Sequence, residues 1–160
     1  MKVFKFGGAS VKDAAGVKNL SSIVHQQHGQ LIVVVSAMGK TTNLLETLCN
    51  AYFHQDPKAT AIMKELKDFH LNIVNSLFPL NDPVYKHLEE LFTNLENILA
   101  SESSLCYDYE YDRIICFGEL ISTTIISDYL KMEGIENQFI DIRKFLKTDQ
   151  NYRNANIDLE

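Results

Sequence analysis

The sequence predicts an α/β domain on a mainly parallel sheet, with a helical excursion in the middle. Three observations lead there. A strand, a helix and a second strand follow one another within about 35 residues, the spacing of a βαβ unit. The second strand, LIVVVSA at 31–37, is a continuous run rich in β-branched residues, which suits a strand buried on both faces by helices. Roughly a hundred residues of mostly helical apolar spacing then follow before another short strand pattern.

The first strand is residues 2–6, apolar at Val3, Phe4 and Phe6, with Lys5 among them. It stops at Gly7-Gly8-Ala9-Ser10, where Ser10 is placed to cap a helix and Asp13 to complete a weak capping box. Ala14, Val17, Leu20 and Val24 recur at helical spacing up to a stop near Gly29. Beyond the second strand, Leu44, Leu45, Leu48 and Tyr52 form one apolar stripe, and Ile62, Leu66, Phe69, Ile73 and Leu77 a second that ends at Pro79. A third runs after Pro83 through Leu88, Leu91, Leu95 and Leu99. SESS at 101–104 reads as a loop, and YDYEYD at 107–112 as a solvated loop leading into a helix. From Asp112 a helical pattern runs through Ile114, Phe117, Ile121, Ile125 and Tyr129 to Gly134. NQFIDI, 137–142, reads as a strand, and a short basic helix with Arg143 and Lys144 follows it.

Composition excludes several classes of function. The 160 residues are 46% hydrophobic and 22% charged, the balance of a globular domain with a real core. A net charge of -6 without a basic stripe argues against nucleic-acid binding. Cys49, Cys106 and Cys116 are an odd, scattered set, read as reduced thiols, and the five histidines lack metal-ligand spacing, so no metal site is expected. No apolar run approaches the ~20 residues that span a bilayer. The chain opens directly on a strand, so no signal peptide is expected and the expected location is the cytoplasm.

Two loops follow strands, where open α/β sheets bind ligands. In the first, Gly7-Gly8 permits close backbone approach and the next helix offers unpaired N–H groups, together an anion site. Lys5 is placed to meet a phosphate there as a point charge; a tight turn beside a snorkelling lysine is the plainer alternative. The second, SAMGKTTN at 36–43, has Gly39-Lys40-Thr41 in the place of a Walker motif. That motif needs a glycine where this chain has Val34, inside the strand. What survives is a cluster of hydroxyls, Ser36, Thr41 and Thr42, able to hold a small polar ligand. A third feature, FGELIST at 117–123, puts Gly118 inside a helix, which signals a close approach. Glu119 there either faces solvent or aims at a cationic group such as an α-amino group.

In this order, KFGGAS, VVSAMGKTTN and FGELIST resemble the amino-terminal part of an aspartate kinase, within the amino-acid kinase superfamily, and IDIRKFLKT extends the resemblance. It implies a three-layer α/β/α sandwich and transfer of the ATP γ-phosphoryl group to the β-carboxylate of L-aspartate, opening lysine, threonine and methionine synthesis. It implies that Lys5 contacts the transferring group, that Gly7, Gly8 and Ser10 line the phosphate loop, and that Ser36, Thr42 and Glu119 hold aspartate, Glu119 near its ammonium group. Mg²⁺ is expected on the nucleotide, and the full-length parent is expected to be a homo-oligomer. The physical logic agrees, since phosphoryl transfer needs positioning and charge neutralisation, which a buried lysine on a strand and a helix N-terminus supply. Two departures stand out: Ala9 replaces a usual threonine, and Lys40 a usual small residue.

The resemblance also implies that adenine and ribose contacts lie beyond residue 160. Residues 1–158 are therefore expected to be the N-terminal part of an incomplete catalytic domain, inactive alone, and 159–160 a vector-derived tail. Another amino-acid kinase, acting on a different carboxylate or carbamate, and a non-catalytic module of the same fold are the competing readings.

Overall fold

The computed structural model describes residues 1–158, and the Leu159-Glu160 pair, expected to be vector-derived, lies outside the described residues. Strand β1 (Lys2–Phe6) runs parallel to β2 (Leu31–Val35), with Val3 opposite Ile32 and Lys5 opposite Val34. Helix α1 (Ala14–His25) connects them. Four helices then follow without an intervening strand: α2 (Thr41–Phe53), α3 (Ala59–Leu77), α4 (Pro83–Ala100) and α5 (Tyr107–Ile115). α6 (Phe117–Met132) starts immediately after a break at Cys116. A minimal antiparallel pair, β3 (Lys147–Thr148) with β4 (Ile157–Asp158), closes the described chain.

The apolar stripes face one another as their spacing requires. Leu45, Leu48 and Tyr52 of α2, Leu66, Ile73 and Leu77 of α3, Leu88 and Leu95 of α4, and Ile121 and Ile125 of α6 join one buried cluster with Val17, Leu20 and Val24 of α1. α6 packs on α4 and on β2, which puts the most apolar helix at the centre.

This is the α/β arrangement that the sequence predicts, but only one face of the β1–β2 pair is covered among the described residues. Val35 is buried, and Phe6, Leu31 and Val33 pack on the core. On the other face Val3 (61%), Ile32 (45%) and Val34 (46%) are exposed. The reading of LIVVV as buried on both faces is corrected accordingly, because no helix of residues 1–158 lies over that side. Lys5 shares the open face with Val34, so it too is exposed, not buried.

Three local expectations change. Ser10 lies inside a 3₁₀ turn, Gly8–Val11, and Asp13 caps α1 by accepting from the Gly16 N–H at 2.8 Å. Gly16 shows why: a Cβ there would lie 2.4 Å from the Ser10 carbonyl oxygen, so helix and turn are pressed together. Residues 107–112 form the start of α5, not a loop, and Glu110 is fully buried, bonded to the Ser104 N–H at 2.7 Å and to Arg113 at 2.9 Å. Residues 137–141 join no ladder among the described residues, and Ile140 is 58% exposed; a β pattern without a neighbouring ladder makes no strand. The basic turn beyond it is present as a 3₁₀ segment, Ile142–Lys144.

Candidate active site

The two loops that leave β1 and β2 touch. The Ser36 N–H donates to the Phe6 carbonyl at 3.0 Å, continuing the ladder by one step, and the Gly39 N–H donates to the Gly8 carbonyl at 3.0 Å. Gly8 is required at this crossing: a Cβ on it would meet the Ala37 carbonyl oxygen at 2.5 Å and that of Gly39 at 3.2 Å. Gly39 itself sits at φ +56°, a left-handed turn that favours glycine. The first loop tightens through the Ser10 N–H donating to the Gly7 carbonyl at 2.9 Å.

The start of α6 is latched to the second loop by two side chains one turn apart. Glu119 Oε1 accepts from the Ala37 N–H at 3.2 Å, and Ser122 Oγ donates to the Ser36 carbonyl at 3.0 Å. Gly118 makes the approach possible, since a Cβ there would lie 2.8 Å from Ala37 Cβ and 3.2 Å from Leu45 Cδ1. The sequence signal of a glycine inside a helix therefore has its physical cause here.

Lys5, Gly7, Gly8, Ser36 and Glu119 are thus joined by a chain of contacts. Lys5 Nζ curls back over the first loop, 3.6 Å from where a Gly7 Cβ would stand. Thr42 lies in the first turn of α2, half-buried, next to Thr41. Ser10 is exposed and turned toward α1, the most peripheral of the seven. Lys40 precedes α2 without a side-chain cap, and the Thr41 N–H that opens the helix donates to the Met38 carbonyl at 3.0 Å. Lys12 lies beside Gly39, its Cβ 3.6 Å from that residue's virtual Cβ. Lys5, Lys12 and Lys40 therefore ring the two loops, and none forms an ion pair among the described residues. In a chain of net charge -6, these three lysines gather positive charge around the two loops.

The IDIRK segment, 140–144, lies against Cys116, just ahead of α6. Arg143 grips Asp141 with both ends of its fork, Nε to Oδ1 at 2.9 Å and Nη2 to Oδ2 at 2.7 Å, which holds the Asp141 carboxyl below the usual carboxylate range. Its remaining Nη1 reaches Cys116 Sγ at 3.2 Å, tying the segment to the head of α6. Burial raises the Cys116 thiol, and the opposing pull of Arg143 is weaker, so the group stays protonated and acts in packing. Sequence reading did not find His70, which contacts the second loop from α3; a lone histidine in an apolar helix carries no signal of its own.

The profile of the amino acid kinase family matches residues 1–159. The chain belongs to that family. Among amino acid kinase relatives, aspartokinase 2 of Arabidopsis thaliana, a chloroplastic protein, is 30% identical over 97% of this chain and 29% of its own length. The aspartokinase of Chlamydia pneumoniae is 27% identical over 99% of this chain and 33% of its own. Among solved structures, E. coli aspartokinase III in complex with aspartate and ADP superposes with a TM-score of 0.86 at 25% identity, covering 99% of this chain and 35% of that one. The chain spans about a third of the length of these relatives. Among the described residues, no helix is long and apolar enough to cross a membrane.

Proposed function

We propose that this amino acid kinase chain forms the phosphoryl-transfer part of an aspartate kinase, with residues 1–158 the N-terminal portion of its catalytic domain. The observation that carries the reading is the convergence of three segments, the turn at 7–10, the loop at 36–43 and the head of α6, on a fold that matches an aspartokinase solved with aspartate and ADP. The reaction is attack of a β-carboxylate oxygen of L-aspartate on the γ-phosphorus of MgATP. The bond to the bridging oxygen breaks, and ADP leaves with its electron pair.

Lys5 stands at the carboxyl end of β1 to neutralise charge on the migrating group, while the Gly7–Gly8 backbone lets phosphate approach without a side chain in the way. Ser10 completes that loop. Ser36, Thr42 and Glu119 hold aspartate, Glu119 facing its ammonium group with the carboxylate oxygen that Ala37 does not occupy. Divalent metal would enter with the nucleotide, and the three lysines suit phosphate rather than a cation. The intact enzyme is proposed to be cytoplasmic and homo-oligomeric.

The test is ADP release across aspartate, glutamate, acetylglutamate and carbamate. The intact protein is expected to use aspartate and the 160-residue chain alone to turn over none of them. Lys5→Ala in the intact protein is expected to lose most of kcat with a smaller change in KM. A kcat close to wild type would refute the role of Lys5, and preference for another acceptor would refute the substrate.

A further inference from the structure

His70 is fully buried on α3, far along the chain from the loops, yet its ring sits on the residue that starts α2. Nδ1 lies 2.8 Å from the Leu66 carbonyl and Nε2 lies 3.3 Å from Thr41 Oγ1. Thr41 Oγ1 in turn lies 2.6 Å from the Met38 carbonyl. Phe69 and Phe92 wall the ring on two sides.

Counting protons fixes the roles. Burial pushes His70 down to about 4, so at neutral pH it carries a single N–H. The Leu66 carbonyl can only accept, so that hydrogen is on Nδ1 and Nε2 presents a lone pair. The Met38 carbonyl can also only accept. One hydroxyl hydrogen, that of Thr41, therefore faces two acceptors, one in the second loop and one on α3. The shorter contact, to Met38, holds it in this arrangement.

Thr41 has little freedom to escape this choice. Its methyl group lies 3.5 Å from where a Gly118 Cβ would stand, against the head of α6, and a β-branched side chain in a helix is stiff about χ1. Its backbone N–H also returns to the Met38 carbonyl at 3.0 Å. The turn 38–41 is thus wedged between α3 and α6, and Thr42 hangs from it.

We propose that His70 is a positioning residue for the second loop: its Nε2 lone pair offers the Thr41 hydroxyl a second acceptor beside the Met38 carbonyl and so confines that side chain at the first turn of α2, which carries Thr42. It does not touch substrate. The proposal rests on the aspartate-kinase reading for its kinetic consequence, whereas the tautomer does not.

Two measurements test it. Long-range ¹H–¹⁵N spectra of the 160-residue chain should show His70 as the neutral Nδ1–H tautomer, with the Nε2 resonance moving in Thr41→Val; an Nε2–H tautomer overturns the proposal whatever the enzyme does. In the intact kinase, His70→Gln keeps an acceptor where Nε2 stood, and His70→Asn keeps only a donor toward Leu66. Loss of that second acceptor in His70→Asn should raise KM for aspartate on the order of five-fold with kcat nearly unchanged, and His70→Gln should restore KM. A residue that only fills space would lower thermal stability in both variants without separating their KM values, and that result also overturns the proposal. An intact protein that phosphorylates no aspartate sinks the functional reading, while the tautomer still decides the role of His70.

Discussion

Replacing Gly118 by alanine tests the close approach on which the site is built. A Cβ there would stand 2.8 Å from Ala37 Cβ, which is fixed to the backbone and cannot swing away. Relaxed carbon–carbon contact lies at ~3.5–4.0 Å, so α6 and the second loop must separate by roughly 0.8 Å. The Ala37–Glu119 bond, already 3.2 Å, would stretch to about 4 Å and cease to be a hydrogen bond, and the Ser122–Ser36 bond of 3.0 Å would weaken with it. Overpacking contributes ~1–3 kcal/mol of destabilisation, and the two weakened bonds add ~1 kcal/mol each at most. Against this stands ~1 kcal/mol gained from alanine's helix propensity.

The balance is a loss of about 2 kcal/mol, or ~4–8 °C in Tm for a chain of this size. Urea and thermal unfolding followed by circular dichroism measure it directly. If Gly118→Ala instead stabilised the chain by ~1 kcal/mol, as it would in an open helix, α6 does not press on the loop and the latch through Glu119 and Ser122 is not held by packing.

Two further expectations follow from exposure and burial. His70 is held at about 4 in the fold by burial, against ~6.5 in an unfolded chain; the unfolded state therefore binds the extra proton first. Stability from this group is complete above pH ~6.5 and lost as pH falls toward 4, by roughly 3 kcal/mol in all; urea midpoints between pH 7 and 4.5 should show it, and a slope unchanged in His70→Gln would contradict it. The open sheet face, with Val3, Ile32 and Val34 at 61%, 45% and 46% exposure, lies between two strand edges that are unpaired among the described residues. The 160-residue chain is expected to self-associate in light scattering at high concentration, less so with Ile32→Thr and Val34→Thr together, and a monodisperse wild-type monomer would count against this.

What the sequence disclosed about this site depended on whether the physical cause was local. Gly8 after a strand and Gly118 inside a helix each announce a close approach at their own position, and the structure has one at both, whereas the Thr41 hydroxyl, read as a ligand group, donates to the Met38 carbonyl. Where the cause lay elsewhere in space, reading along the chain failed. YDYEYD looks like a solvated loop because nothing in six polar and aromatic residues says that Glu110 will be buried to receive the Ser104 N–H and Arg113. NQFIDI has strand composition, but a strand exists only as half of a ladder, and among the described residues no partner stands beside it. Lys5 is the instructive intermediate case. Its position at the end of β1 was legible, whereas its exposure was not, because that depends on what covers the face it shares with Val34. A cation on an uncovered face is strongly screened by water; the same cation beneath a further layer would act on a phosphate in a lower dielectric, where its charge counts for several times more. On that argument the role proposed for Lys5 in charge neutralisation should strengthen if a further layer covers the open face, and not with any change in the first loop itself.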